Sequence, residues 1–308
     1  MTATPTTGTF DAGHVNPPRA TLPPRSCDCH VHVFDPARFP YAPLRTYTPG
    51  AATVADLLTF ERIVGMERVV LVQPSGYGTD NRCLLDGLRQ LGLHRARGVA
   101  VVDPLGITPA QVDALHAAGV RSLRLNLEVR GEHRPDEARA ALRQGLEVAP
   151  GVRWSVQLHA GLPVIEALAE HIRQARTPIV LDHFAGLKAE RGTAQPGFAT
   201  LLSLLRDDAP LYVKLSAPYR ASRHPQYADL APFVHALVEA APHRLLWASD
   251  WPHTGSSASR SGDLSRIEPF RAIDAGHVLD LLWQWIPDAQ AREHVMVRNP
   301  ARLYGFGS

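Results

Sequence analysis

The sequence predicts a single (β/α)8 TIM barrel: eight short apolar runs alternate with amphipathic segments, and unusual polar residues gather at the C-terminal ends of those runs. The chain has 308 residues, 45% of them hydrophobic and 20% charged, which is enough to bury one extensive core. Length alone also permits two domains, but α/β barrels often run this long as one unit. The expected organisation is an irregular, proline-rich N-terminal arm over 1–25 and the barrel over 26–308.

In order, the expected strands are Cys27–Val33, Arg68–Gln73, Arg97–Asp103, Val120–Asn126, Arg153–His159, Ile179–His183, Leu211–Ser216 and Leu245–Asp250. Several are apolar without alternation, as in Val69-Val70-Leu71-Val72 and Ile179-Val180-Leu181, the pattern of parallel strands covered on both faces. Between them Asp136–Ala149, Pro163–Ala175 and Ala228–Ala241 space aliphatic residues as helices do. Pro163 and Pro232 stand near the expected helix starts, where a missing amide hydrogen costs least. The Ser- and Gly-rich loop His253–Glu268 follows the last strand and is placed to cover the barrel mouth. The final stretch, Asp288–Tyr304, reads as helical up to Asn299-Pro300.

A formal net charge of +2 and a pI near 8.5 give no general affinity for polyanions, so no nucleic-acid partner is expected. No apolar run reaches the roughly 20 residues of a membrane span, so no membrane is expected either. The arm lacks the apolar core of an export signal, and three cysteines suit a reducing cytoplasm. Cys27 and Cys29 share one side of an extended chain and read as buried thiols. A homo-oligomer is permitted but not required.

The polar residues at the strand ends carry the chemistry. His30 and His32, two apart on a strand, point the same way and can hold one ion or one substrate group. Later strands end in Gln73 and Ser75, Arg124 and Asn126, His159, Asp182 and His183, Lys214 and Arg220, and Asp250 and His253. Asp250 closes the apolar run Leu245-Leu246-Trp247-Ala248, where a carboxylate is costly unless paired or used, and is the strongest catalytic candidate. Asp182, next to His183, is expected to face the helix layer in a structural role. His253 reads equally as a supporting partner and as exposed loop. Arg124, Arg130 and Arg220 offer planar forks of donors and imply a small anionic, carboxylated substrate.

The opening Cys-Asp-Cys-His-Val-His-Val-Phe, the strand-end His159 and His183, and the closing Ala-Ser-Asp-Trp-Pro-His resemble the amidohydrolase superfamily, over about Cys27 to Tyr304. Within it the chain is similar to the branch of 2-pyrone-4,6-dicarboxylate and sugar-acid lactonases. That likeness rests on Tyr47 in Arg-Thr-Tyr-Thr-Pro, Ser75 in Gln-Pro-Ser-Gly-Tyr-Gly, Arg124 and Arg130 around Leu-Asn-Leu, and Arg220 in Lys-Leu-Ser-Ala-Pro-Tyr-Arg.

The resemblance implies hydrolysis of a carboxylated lactone. Asp250 is then the general base, His30, His32 and His183 polarise the carbonyl, and Tyr47, Ser75, Arg124, Arg130 and Arg220 hold the substrate with His159 and His253 nearby. It equally implies one divalent cation, zinc by ligand type, on His30, His32, His159 and Asp250, with His183 as acid/base or carbonyl contact. His159 departs from the tyrosine that the dicarboxylate lactonases carry near this point, which favours the ion; a site without metal stays open. The alternatives are an aldaric or sugar-acid lactonase or isomerase, a metal-dependent decarboxylase, and a binding barrel without catalysis.

Overall fold

The computed structural model describes residues 9–127, 134–148, 151, 153–255 and 262–307. Eight parallel strands form one sheet in sequential order: β1 Cys27–Val31, β2 Arg68–Val72, β3 Ala96–Ala100, β4 Val120–Asn126, β5 Ser155–His159, β6 Ile179–Leu181, β7 Leu211–Ser216 and β8 Leu245–Ala248. The ring is drawn together by a parallel bridge between Val31 and Trp251, just beyond β8, and His32 N–H donates to the Trp251 carbonyl at 2.8 Å. Helices follow the strands, so sequential parallel pairing yields a (β/α)8 barrel. All eight strands lie where the sequence places them, all but β4 and β7 being shorter than expected.

Alternate residues divide two cores. Val70, Val72, Val99, Val180, Leu246 and Ala248 fill the barrel, whereas Val69, Leu71, Ile179, Leu181, Leu245 and Trp247 face the helices. Cys27 and Cys29 lie in the inner core as free, buried thiols. Helix α1, Val54–Val64, begins at a capping box of Thr53 and Asp56 and buries Leu57, Phe60 and Val64 on the outer core.

The described part of the arm, from Thr9 onward, is docked on the barrel. Thr9 bridges to Ala51, Phe10 packs edge-on against Trp251 with centroids 5.0 Å apart, and Asn16 is held through its backbone and side chain by Asp274. At the other end the chain does not stop at Pro300. A π-turn, His294–Arg298, leads into a helix over Asn299–Tyr304 with the proline in its first turn, where its missing N–H has no partner to lose. Tyr304 and Phe306 then reach the inner core, Phe306 between Arg68 and Arg97, so the end opposite the site is plugged.

Candidate active site

The site begins with a bulge in β1. Asp28 pairs with Val69 and Val31 with Leu71, so three steps on β1 match two on β2. Strict alternation would turn His30 and His32 outward once Cys27 and Cys29 point inward; the extra residue brings both imidazoles back to the interior. Asp28 fastens this kink. Its Oδ1 accepts from the His30 N–H at 3.2 Å and from the Ser249 N–H at 3.0 Å, which ties β1 to the end of β8.

One step past Ser249, Asp250 adopts φ 64°, a left-handed conformation unfavourable for a residue with a Cβ, while its N–H donates to the His30 carbonyl at 3.0 Å. Its two oxygens have different surroundings. Oδ2 accepts from the Tyr219 hydroxyl at 2.6 Å and from Arg220 Nε at 3.0 Å. Oδ1 is buried without a hydrogen-bond partner among the described residues and faces three imidazoles, 3.7 Å from His30 Nε2, 3.7 Å from His32 Nε2 and 3.8 Å from His183 Nε2.

The far side of each ring sets which nitrogen is free. His32 Nδ1 donates to the Val72 carbonyl at 2.7 Å, and His30 Nδ1 lies 3.2 Å from both Asp182 Oδ1 and Lys214 Nζ. The lone pair of His32 Nε2 therefore faces the site, 3.2 Å from His30 Nε2. At that distance the two nitrogens hold a proton or a cation between them. His183 Nδ1 lies 2.9 Å from Ser216 Oγ, which also accepts the His183 N–H.

Asp182 corrects the sequence reading. The side chain points into the barrel, because Val180 faces inward and Asp182 continues that alternation past the end of β6. His183 reaches the same interior by a turn: His183, Phe184 and Ala185 all have φ between 50° and 55°. Two adjacent residues can thus share one side once the strand has ended.

The cavity above these groups is lined by His32, Tyr47, Ser75, Arg124, His159, His183, Arg220 and Asp250, with Asn126 and Thr254 among the other walls. Arg124 donates from Nη1 to the Gln73 carbonyl at 3.0 Å, and its Nε is buried without a hydrogen-bond partner among the described residues. Arg220 is tied to Asp250 and, through Nη2, to the Thr254 carbonyl at 3.0 Å. His159 packs edge-on against His183 with centroids 4.9 Å apart. His253 is not among the residues lining this cavity; fully buried, it packs edge-on against Tyr219 and Phe60, which rules out the exposed-loop reading. Arg130 and the middle of the Ser- and Gly-rich loop lie outside the described residues.

Burial dominates the electrostatics. It would raise the Asp250 pKa, but Arg220, His183, His30 and His32 outweigh it and hold the carboxyl well below the ordinary carboxylate range. Burial lowers His32 and His183 well below ordinary imidazoles and takes His159 to about 3, with Arg124 adding to the shift at His32 and His159. The carboxylate at the centre thus stays ionised.

That donor set fits one divalent ion. Oxygen and nitrogen donors with bonds near 2.0 Å sit about 3.3 Å apart on a tetrahedral ion, close to the separation of the two Nε2 atoms. The candidate donor atoms of His30, His32 and Asp250 all lie within 4.8 Å of one another, and the Nδ1 contacts supply the outer partners that ligating histidines need. His159, placed beyond His183, is not in that group.

Tyr219 is a functional candidate that sequence reasoning missed. It sits directly before Arg220, and its only signal is that neighbourhood.

A parallel barrel with an H-x-H pair, a third histidine and a strand-end aspartate on its C-terminal rim has the architecture of a barrel hydrolase. The chain belongs to the amidohydrolase family, whose model matches residues 27–306. It is 33% identical over 296 residues to the 4-sulfomuconolactone hydrolase of Hydrogenophaga intermedia, covering 95% of this chain and 92% of that protein. Identity to the 2-pyrone-4,6-dicarboxylate hydrolase of Comamonas testosteroni is 32% over 307 residues, 94% of each chain. A crystal structure from Pseudomonas putida, titled as a 2-pyrone-4,6-dicarboxylic acid hydrolase, superposes with a TM-score of 0.78 at 32% identity and covers 93% of this chain and 100% of its own.

Proposed function

We propose that this chain hydrolyses a lactone bearing an anionic group, carboxylate first and sulfonate second, with Asp250 as general base. The observation that carries the reading is the asymmetry of Asp250: Oδ2 is held by Tyr219 and Arg220, so Oδ1 is presented bare and ionised to the cavity. A base needs that fixed orientation and a protonation state available at neutral pH.

Asp250 Oδ1 takes the proton of the attacking water and returns it to the ring oxygen that leaves, so the ester bond opens to an acid and an alcohol. The Arg124 guanidinium, on the cavity wall with Tyr47 and Ser75, binds the substrate anion. His183 and His159 border the carbonyl. His30, His32 and Asp250 would hold one divalent ion, whose chemistry there is to polarise the carbonyl and acidify water. The names of the relatives support a lactone; the arginines and the bare carboxylate support hydrolysis of an anionic one.

The test is hydrolysis of 2-pyrone-4,6-dicarboxylate, followed by ultraviolet absorbance, and of 4-sulfomuconolactone, alongside metal analysis of the purified protein. Turnover of either lactone is expected, with Asp250→Asn reducing kcat by about 10²- to 10⁴-fold. Full activity in that variant overturns the assignment. About one ion per chain in the wild type, lost in His32→Ala, supports the ligand set; undiminished turnover in metal-free protein removes it.

A further inference from the structure

Two cations lie over the ring of Tyr219. The Arg220 guanidinium carbon is 5.3 Å from the ring centroid and that of Arg271 is 5.4 Å, while His253 meets the ring edge-on with centroids 6.1 Å apart. Arg220 is engaged elsewhere as well, its Nε donating to Asp250 Oδ2 and its Nη2 to the Thr254 carbonyl. Arg271 is not: it forms no ion pair among the described residues, its Nε is buried without a hydrogen-bond partner among them, and it is absent from the lining of the cavity. A guanidinium without a carboxylate partner is still attracted electrostatically to the face of an aromatic ring.

The main chain fixes where the Arg271 side chain starts. Its N–H donates to the His253 carbonyl at 2.9 Å, and the His253 N–H donates to the Asp250 carbonyl at 2.8 Å, so Arg271 is anchored to the turn that carries Asp250. Tyr219 is anchored less firmly. It stands in the single turn Pro218–Ala221 beyond β7, after Ala217 at φ 49°. No strand or long helix sets the direction of a side chain there, so the groups packed around the ring do.

We infer that Arg271 is a positioning residue for the reaction: its guanidinium holds the Tyr219 ring so that the hydroxyl meets Asp250 Oδ2 at 2.6 Å. The effect passes from Arg271 to Tyr219 and from Tyr219 to Asp250, whose other oxygen is thereby aimed at the cavity. Because Arg271 acts through the hydroxyl, its loss matters only while the hydroxyl is present.

The kinetic part of this inference rests on the lactonase reading, whereas the geometric part does not. On the lactone that the wild type turns over, Arg271→Met should lower kcat about three- to ten-fold with KM within about two-fold, and Arg271→Lys, which keeps a cation for the ring, should recover most of the loss. In the Tyr219→Phe background Arg271→Met should lower kcat by no more than about two-fold further, because no hydroxyl is left to aim. Full turnover in Arg271→Met overturns the inference, as do a rise in KM alone, losses that multiply in the double variant, and an Arg271→Lys protein no better than Arg271→Met. Crystal structures of the full-length wild type and of Arg271→Met decide the geometry whether or not a lactone is hydrolysed. The Tyr219 hydroxyl is expected to move beyond hydrogen-bonding distance of Asp250 Oδ2 in the variant, to more than about 3.5 Å. An unchanged bond there overturns the inference. Thermal melts confirm that each variant is folded, and Arg271→Gln, also uncharged, replaces Arg271→Met if that protein does not fold.

Discussion

The Tyr219 hydroxyl donates to Asp250 Oδ2 over 2.6 Å, a short charge-assisted hydrogen bond that, with Arg220 on the same oxygen, aims the other oxygen at the histidines. Tyr219→Phe should therefore lower kcat about ten-fold, or ~1.4 kcal/mol, with KM little changed. Steady-state kinetics with a thermal melt to confirm folding checks this. A rise in KM alone would make Tyr219 a substrate contact instead.

The same environment predicts the pH profile. Asp250 is held well below the ordinary carboxylate range, so the base stays ionised as pH falls. Burial lowers His32 and His183 as well, so neither ring takes up a proton near neutrality. The profile of kcat/KM should stay flat from about pH 8 down to about pH 5. An acid limb centred near pH 6 to 7 would assign the essential base to another group.

Arg124 lines the cavity, and its Nε lies 3.9 Å from Asp182 Oδ2. Arg124→Met removes a charged donor while keeping a buried apolar stem, so KM for a dianionic lactone should rise about 10- to 100-fold, as the loss of a hydrogen bond to a charged group implies. Binding isotherms with a non-hydrolysed dicarboxylate should weaken in parallel. Unchanged binding would leave Arg124 with its structural contacts to Gln73 and Asp182.

Asp28 links stability to pH. Burial raises its pKa to about 7, against the backbone hydrogen bonds that lower it. Between the unfolded value near 4 and this folded value the native chain binds the extra proton, so the contribution of Asp28 is full below about pH 4 and is lost as pH rises through about 7. Melting temperature should decline from about pH 5 to about pH 8, and Asp28→Asn, which keeps an acceptor for His30 and Ser249, should flatten that part of the slope. Equal slopes in the two proteins would exclude the linkage.

The barrel and most of the cavity lining were legible because they follow from local periodicity. Eight apolar runs specify parallel strands, and a residue at the C-terminal end of a barrel strand can reach one shared mouth; hence His32, Ser75, Arg124, His159, His183, Arg220 and Asp250 meet. Asp182 was misread because strict alternation was applied to two neighbours, whereas the strand ends at Leu181 and the following turn brings His183 back inward. The helix end was misread at Pro300, which a preceding π-turn accommodates. Tyr219 carried no periodic signal at all.

By itself the sequence determined the order of the strands, the thiols buried in the barrel and the identity of the groups gathered at its mouth. Only the tertiary structure decided their roles. His30 and Asp182 are 152 positions apart, and His30 and Asp250 lie on the strands that meet where the ring closes. Which oxygen of Asp250 stays bare follows from Tyr219 and Arg220, brought in from beyond β7. The reason is physical: periodicity sets the face on which a residue lies, but hydrogen-bond partnership across a closed barrel depends on bulges, turns and register between distant strands.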